Sequence, residues 1–263
     1  MAAPAAACLI FSGVFTYFGC HVLKREIIFV DIALAQLAAL GVTLADTFQH
    51  ENNKWETLLL SLFFVLAGSA FFSYTRRLTN RVPQEAIIGI VYVVGASLTL
   101  LLASQSVHGA EQLRNILNGS ILWITWSNVL TLLVLVAIIA VPHWVFRENF
   151  WKLSDQYRQF KKGDREYIWW DFLFYLSLGL VIVTSVKTAG IFLIFTFLIV
   201  PAVIVALFSA QFKTQLIFGS LVSAVTSLFG LVLSFNLDLP TGATLVCCFG
   251  IVFAGALFIA KKK

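Results

Sequence analysis

Nine long runs of apolar residues follow one another along the 263-residue chain and take up about two thirds of it. At a helical rise of 1.5 Å per residue, each run is long enough to cross a hydrocarbon core of about 30 Å. Lipid tolerates only structures that satisfy every backbone hydrogen bond internally, and runs of this length are typical of helices. The predicted fold class is therefore all-α, a polytopic integral membrane helical bundle that forms a single transmembrane domain over residues 1–263. The predicted spans are 5–23, 27–46, 55–74, 86–104, 121–141, 170–186, 190–209, 215–235 and 242–260.

Composition excludes the other classes of protein. Only 12% of the residues are charged and 60% are apolar, which excludes a water-soluble domain, and 25 Phe with 7 Trp exclude disorder. The four cysteines form no CxxC pair and the four histidines form no HxxxH or HExxH motif, so neither a zinc enzyme nor a redox site is indicated. No GxxxxGK[ST] loop is present, so energy from ATP would have to come from another subunit. We expect no enzymatic activity and no bound cofactor.

The basic residues indicate how the chain lies in the membrane. If the amino terminus lies outside and the carboxyl terminus in the cytoplasm, only Lys54, Arg114 and Lys187 of the 18 Lys and Arg residues face out. Such a bias is the positive-inside signal. It accounts for the net charge of +5, and no nucleic-acid partner is needed. The first run has no basic segment before it, which favours a transmembrane helix over a cleaved signal peptide.

Asp31 is the clearest ionisable residue inside a span, and such residues are costly and often functional. Small residues surround it on the second helix, which allows close packing away from lipid. With Gln36 it suits a polar pathway. The alternative interpretation is a buried hydrogen-bond anchor or a partner for Arg25.

The longest loop, 142–169, carries an apolar stripe and is cytoplasmic on this arrangement. Two interpretations fit it: an amphipathic helix lying on the membrane surface, or a docking surface for a cytoplasmic partner. The stripe consists of Phe146, Phe150, Leu153, Tyr157 and Phe160, spaced three and four apart.

Other polar residues lie at the ends of spans. A cation could be attracted to an outer mouth formed by Asp46, His50, Glu51 and Asp238, although an ordinary solvated loop and turn chemistry at Asp238 also explain them. Glu85 and Asp171 stand where the fourth and sixth helices are predicted to begin, and negative charge there favours a helix N-terminus.

Five segments, in order along almost the whole chain, resemble the ABC-3 permeases, the membrane subunits of ABC importers for zinc, manganese and iron. The first, FVDIALAQLAALGV at 29–42, is similar to the family's FGDxLxHAxLxGV. The others are EAIIGIVYVVGASLTLLL at 85–102, RNILNGSILWITWSNVL at 114–130, SVKTAGIFLIFTFLIVPAVIVALFS at 185–209 and FNLDLPTGATLVCCFGIVFAGALF at 235–258.

This resemblance implies a permease subunit of the bacterial plasma membrane that forms a translocation pathway for a divalent metal, the substrate. It implies cytoplasmic ATPase subunits, an extracytoplasmic metal-binding protein and a second permease copy as partners. The family's coupling helix would correspond to 146–166, which favours the docking interpretation of that loop. The alternative function is a self-contained ion-coupled secondary transporter in which Asp31 titrates.

The chain departs from the family pattern at the second helix. Family members commonly place a His four residues after the Asp, on the same face, but here the nearest polar residue is Gln36, about 140° around the helix. Either an irregular turn brings Asp31 and Gln36 together, or other groups hold the metal. The family position near Val93, where some members carry His, is also apolar. Oxygen ligands in place of imidazole would shift preference from zinc toward manganese.

Overall fold

The computed structural model describes residues 1–48, 54–76, 82–105, 114, 117–119, 121–155 and 165–261. All regular structure in these ranges is helical and comprises ten α-helices and a 3₁₀ turn at Ile121–Trp123. The helices are α1 (Ala2–Arg25), α2 (Val30–Phe48), α3 (Lys54–Thr75), α4 (Gln84–Ala103), α5 (Trp126–Val145), α6 (Arg147–Asp155), α7 (Arg165–Ala189), α8 (Ile191–Ala206), α9 (Phe212–Asn236) and α10 (Thr241–Ala260).

The predicted fold class is confirmed, because each predicted span corresponds to a helix. Eight helices of the described chain are long and apolar enough to cross a membrane. The exception is α8, the predicted span 190–209, which has 16 residues and rises only about 24 Å. Gly190 separates α8 from α7 by adopting a φ of 80°, a conformation that glycine tolerates and that ends a helix. The nine-span arrangement and the sides of the termini stay predictions.

The helices on either side of the predicted loop 142–169 differ in their bounds from the predicted spans. The fifth helix begins at Trp126 rather than 121, because the Thr125 hydroxyl accepts the backbone N–H of Asn128 at 3.4 Å, as in an N-cap. The predicted loop 142–169 is largely helical: α5 continues to Val145, α6 follows, and α7 begins at Arg165. Pro142 does not end α5, although proline disfavours a helix interior.

The described helices form two compact units, each assembled from separate stretches of the chain. The first unit consists of Met1–Leu23, Leu117–Ile138 and Ser185–Lys263. The second consists of Lys24–Ile116 and Ile139–Thr184. Asp31 lies in the second unit, where α2 packs against both α3 and α4.

Small residues bring α2 close to its neighbours in the second unit, as the sequence predicts. Ala33, Ala35, Ala38 and Ala39 are all buried. A Cβ atom added at Gly41 would lie 2.7 Å from the Cα and backbone N of Ser61 on α3. Close backbone approach through small residues is how transmembrane helices associate.

We expect Gly41→Ala to destabilise the protein by about 1–3 kcal/mol, because the added methyl group meets backbone atoms of α3 that cannot rotate away. The matched control is Gly89→Ala on α4, where an added Cβ meets nothing within 4 Å. Alanine should be neutral or stabilising at that position, since it favours helix over glycine. Unfolding of both variants in detergent micelles measures the difference, and equal stability of the two would contradict this account of the α2–α3 contact.

The first unit has an aromatic core between helices distant in sequence. The ring of Phe197 on α8 contacts the rings of Phe11 on α1 and Phe249 on α10, with centroids 5.7 Å and 5.2 Å apart. The three helices α8, α9 and α10 also pack on one another. Aromatic and other apolar contacts hold this unit together, and close packing of such side chains restricts how its helices can be arranged.

Many large apolar side chains remain exposed on the outer faces of the helices. In α4 and in α5, only 22% of the most apolar stretch of the helix is buried within the protein. A water-soluble protein rarely exposes apolar surface so extensively, whereas lipid accommodates it. Examples are Ile90, Leu101, Leu130, Phe229, Ile251 and Phe258.

Candidate functional site

Asp31 is the second residue of α2 and is only 2% exposed. Its Oδ1 atom is buried and accepts no hydrogen bond from the part of the chain that the structure describes. A buried carboxylate oxygen with no partner is costly, so such groups in proteins are usually paired or bind a ligand. Asp31 therefore has the burial and the free coordination capacity that a cation ligand requires.

A second acidic residue, Glu85, contacts the turn before Asp31. Nothing in the sequence connects these two residues. Glu85 is the second residue of α4, and its Oε1 accepts the backbone N–H of Phe29 at 3.0 Å, two residues before Asp31. Its Oε2 is buried and accepts no hydrogen bond from a described residue. The start of α4 therefore lies against the turn that leads into Asp31. The predicted position of Glu85 at a helix start is correct, but its carboxylate contacts the turn before α2 instead of its own helix.

Gln36 lies on a different face of α2 from Asp31. The helix α2 is continuous from Val30 to Phe48, so no irregular turn brings the two side chains together, and they lie about 140° apart around it. Gln36 is buried on the face toward α4, where its Cβ would lie 3.6 Å from a Cβ added at Gly95. Its role in a pathway stays a prediction.

Arg25 has a different partner from the one considered in the sequence. Its fully buried guanidinium donates to Asp171 at 3.0 Å and to the Ser154 hydroxyl at 2.9 Å, and Arg76 also donates to Asp171. The prediction that Asp171 begins a helix is wrong, because α7 starts six residues earlier. Asp171 is instead the shared acceptor of a buried ion-pair cluster that joins the ends of α1 and α3 to α6 and α7.

An open cavity of about 630 Å³ is lined by Ile32 and Ala86, the residues that follow Asp31 and Glu85 in the sequence. It is lined by apolar side chains and by Tyr92, the one lining residue with a polar side-chain atom. Val93 lines it as well and is exposed. A surface of this character suits lipid or an apolar neighbour better than a hydrated cation. The lining residues are Phe29, Ile32, Ala86, Gly89, Ile90, Tyr92, Val93 and Val94.

Two of the five predicted docking residues, Phe150 and Leu153, lie on the inner face of α6 and are not available to a partner. Phe150 is buried, stacks on His143 with ring centroids 4.1 Å apart and contacts the Trp170 ring. Leu153 is buried as well. The sequence does not reveal this packing, because helical periodicity identifies an apolar face without showing what covers it.

The outward face of α6 is mostly polar. Phe146 remains 44% exposed, and Arg147, Glu148 and Lys152 are exposed beside it. A small open cavity of about 330 Å³ is lined by Trp144, Val145, Phe146, Arg147, Glu148 and Asn149. The remaining two predicted docking residues, Tyr157 and Phe160, lie outside the described residues.

The predicted outer-mouth residues are only partly described. Asp46 is exposed in the last turn of α2. Asp238 belongs to the other unit and lies in the turn between α9 and α10, with a positive φ of 51° and the Leu239 N–H donating to the Ser234 carbonyl. That geometry is typical of a helix C-terminal cap, as turn chemistry predicts. His50 and Glu51 lie outside the described residues.

Comparison with known proteins decides the family. The model of the ABC 3 transport family matches residues 1–260. The chain belongs to this family. The ABC 3 resemblance carried by five short segments in the sequence is thereby confirmed, and the chain is a multi-pass membrane permease, a transport component.

Relatives of this ABC 3 protein are similar over most of its length. The manganese import system permease protein ScaB of Streptococcus gordonii is 25% identical, with 93% of this chain and 86% of the relative covered. The chelated iron transport system membrane protein YfeC of Yersinia pestis is 28% identical, with 83% and 77% covered. A probable iron transport system membrane protein of Haemophilus influenzae is 22% identical, with 95% and 86% covered.

Solved structures share the fold. PsaBC from Streptococcus pneumoniae, in complex with Fab, superimposes with a TM-score of 0.79 at 20% identity and covers 98% of this chain and 91% of the other. An inward-facing conformation of a putative metal-chelate type ABC transporter gives 0.72 at 18% identity, covering 97% and 85%. The ABC 3 chain therefore has the helical architecture of ABC transporter permeases.

Proposed function

We propose that this chain forms the pathway by which an ABC importer moves a divalent metal cation across the bacterial plasma membrane. The observation that carries the proposal is the buried carboxylate of Asp31, which lies in a span of a chain that belongs to the ABC 3 transport family. One of its oxygens accepts no hydrogen bond from the described residues. Relatives named for manganese and iron transport support a metal as the substrate.

The energy would come from ATPase subunits on the cytoplasmic side, because the sequence has no phosphate-binding loop of its own. An extracytoplasmic metal-binding protein would deliver the cation, and a second copy of the permease would complete the pathway. The metal would be the substrate, and we expect the chain to bind no cofactor of its own. Family membership favours this assembly over the ion-coupled secondary transporter.

We place the ATPase contact on the outward face of α6 in place of the buried stripe. The side chains of Phe146, Arg147, Glu148 and Lys152 are exposed there, while Phe150 and Leu153 connect the helix to the rest of the unit. Because the inner face of α6 is packed against the rest of its unit, a movement of a partner bound to the outer face would also move that unit. The basic residues of this region favour its location in the cytoplasm.

Manganese is the substrate that the chemistry of Asp31 supports best. In the described residues, no three His, Cys, Asp or Glu side chains come together to hold a metal. A carboxylate supplemented by water or carbonyl oxygens suits hard ions such as Mn²⁺ better than Zn²⁺.

The test is ATP hydrolysis by the reconstituted complex of permease, ATPase and binding protein. We expect the Mn²⁺-loaded binding protein to stimulate hydrolysis and the Zn²⁺-loaded form to stimulate it less. Equal stimulation by both forms would contradict the manganese preference. No stimulation by any metal-loaded form would contradict metal import.

A further inference from the structure

The turn before α2 places a second carboxylate beside Asp31. Glu85 is bonded through Oε1 to the backbone N–H of Phe29, which fixes the start of α4 against the start of α2. Asp31 follows Phe29 by two residues, in the first turn of α2. Two acidic side chains from different helices are therefore brought together at one end of the unit.

Each carboxylate keeps one buried oxygen without a hydrogen bond from the described residues, Oδ1 of Asp31 and Oε2 of Glu85. Asp31 is at least nine-tenths buried. A buried carboxylate oxygen without a partner is unfavourable, and a cation bound between the two side chains would compensate for this cost. The basic side chains Arg25 and Arg76 of the same unit both donate to Asp171.

We propose that Glu85 is a second oxygen ligand, together with Asp31, for the divalent cation that the chain transports. The inference rests on the proposed function and adds a residue to it. Two carboxylates neutralise a dication, and carboxylate oxygens are the donors that Mn²⁺ prefers. The second carboxylate would supply a further ligand in a chain that lacks the family's His on α2. Glu85 was hard to recognise in the sequence because its position also suits a helix start.

The experiment separates a ligand role from the contact to Phe29. In Glu85→Gln the amide oxygen can still accept the Phe29 N–H, but the negative charge is lost. We expect at least about tenfold weaker Mn²⁺ binding to the purified full-length chain, followed by electron paramagnetic resonance of free Mn²⁺. The matched control is Glu56→Gln, which removes an exposed carboxylate from the first turn of α3 and should bind Mn²⁺ like wild type.

A second variant guards against a simple folding defect. Glu85→His should raise the affinity for Zn²⁺ relative to Mn²⁺, because imidazole favours zinc, whereas a purely structural role would lower both affinities together. Unchanged Mn²⁺ binding by Glu85→Gln, or an unchanged Zn²⁺ to Mn²⁺ ratio for Glu85→His, would overturn the proposal.

The outcome also distinguishes this inference from the proposed function. If Asp31→Asn weakens Mn²⁺ binding and Glu85→Gln does not, only the role of Glu85 is lost. If the wild-type chain retains no Mn²⁺, the two-carboxylate site is refuted, while transport by the complete complex still tests the function separately.

Discussion

Cells that carry Asp31→Asn will accumulate almost no manganese although they assemble the complex at wild-type levels. The change removes one negative charge and keeps the size of the side chain, so packing around the buried residue should persist. Mutation of a residue that only hydrogen-bonds to a metal ligand lowers metal affinity about 10–100-fold. Loss of the ligand itself should lower the affinity at least as much. Uptake of radioactive Mn²⁺, with the permease quantified in the membrane fraction, measures the effect.

The control for this experiment is Glu56→Gln, an equally conservative neutralisation at an exposed carboxylate of the same unit. It should leave uptake unchanged. Wild-type uptake by Asp31→Asn would make Asp31 a structural residue and would remove the main argument for a metal pathway in α2.

The second large effect concerns the buried ion-pair cluster. We expect Asp171→Asn to lower the free energy of unfolding by about 3–5 kcal/mol, because it leaves the buried Arg25 guanidinium without its counter-charge. Arg25 also lies 3.7 Å from the Phe174 ring centroid, so it cannot move to water without breaking further contacts. Denaturation of the purified protein in mixed micelles measures the change.

The matched control for the cluster is Asp155→Asn, the same substitution in an exposed pair. Asp155 accepts from Lys24 at 2.9 Å, and more than half of its side chain is exposed. Exposed pairs contribute roughly 0–1 kcal/mol, so this variant should unfold almost like wild type. Similar losses in both variants would contradict the distinct role of the buried cluster.

The positions of the helices were largely predictable from sequence, because long apolar runs in lipid have few other structures open to them. The row of small residues on α2 also predicted its close contacts correctly. Boundaries were less predictable, since they depend on local bonds such as the one at Thr125 and on the positive φ of Gly190. Helical periodicity identified the apolar face of α6, but only the packing of Phe150 on His143 shows that this face is buried.

The candidate site was predictable only in part. Asp31 is conspicuous because charge is rare inside a span. Its neighbour Glu85 is 54 residues away in sequence, and the partner of Arg25 is 146 residues away. No local sequence pattern predicts contacts over such separations. In the sequence, Glu85 and Asp171 are also explained as residues at helix starts, so only the tertiary structure reveals their partners.

Accumulation of Mn²⁺ in vesicles that contain the purified complex tests the central claim most directly. The account predicts that wild-type complex concentrates Mn²⁺ only when ATP is present on the side of the ATPase subunits, and that Asp31→Asn abolishes this accumulation. Accumulation by the permease alone, driven by a proton or sodium gradient without the ATPase, would contradict it.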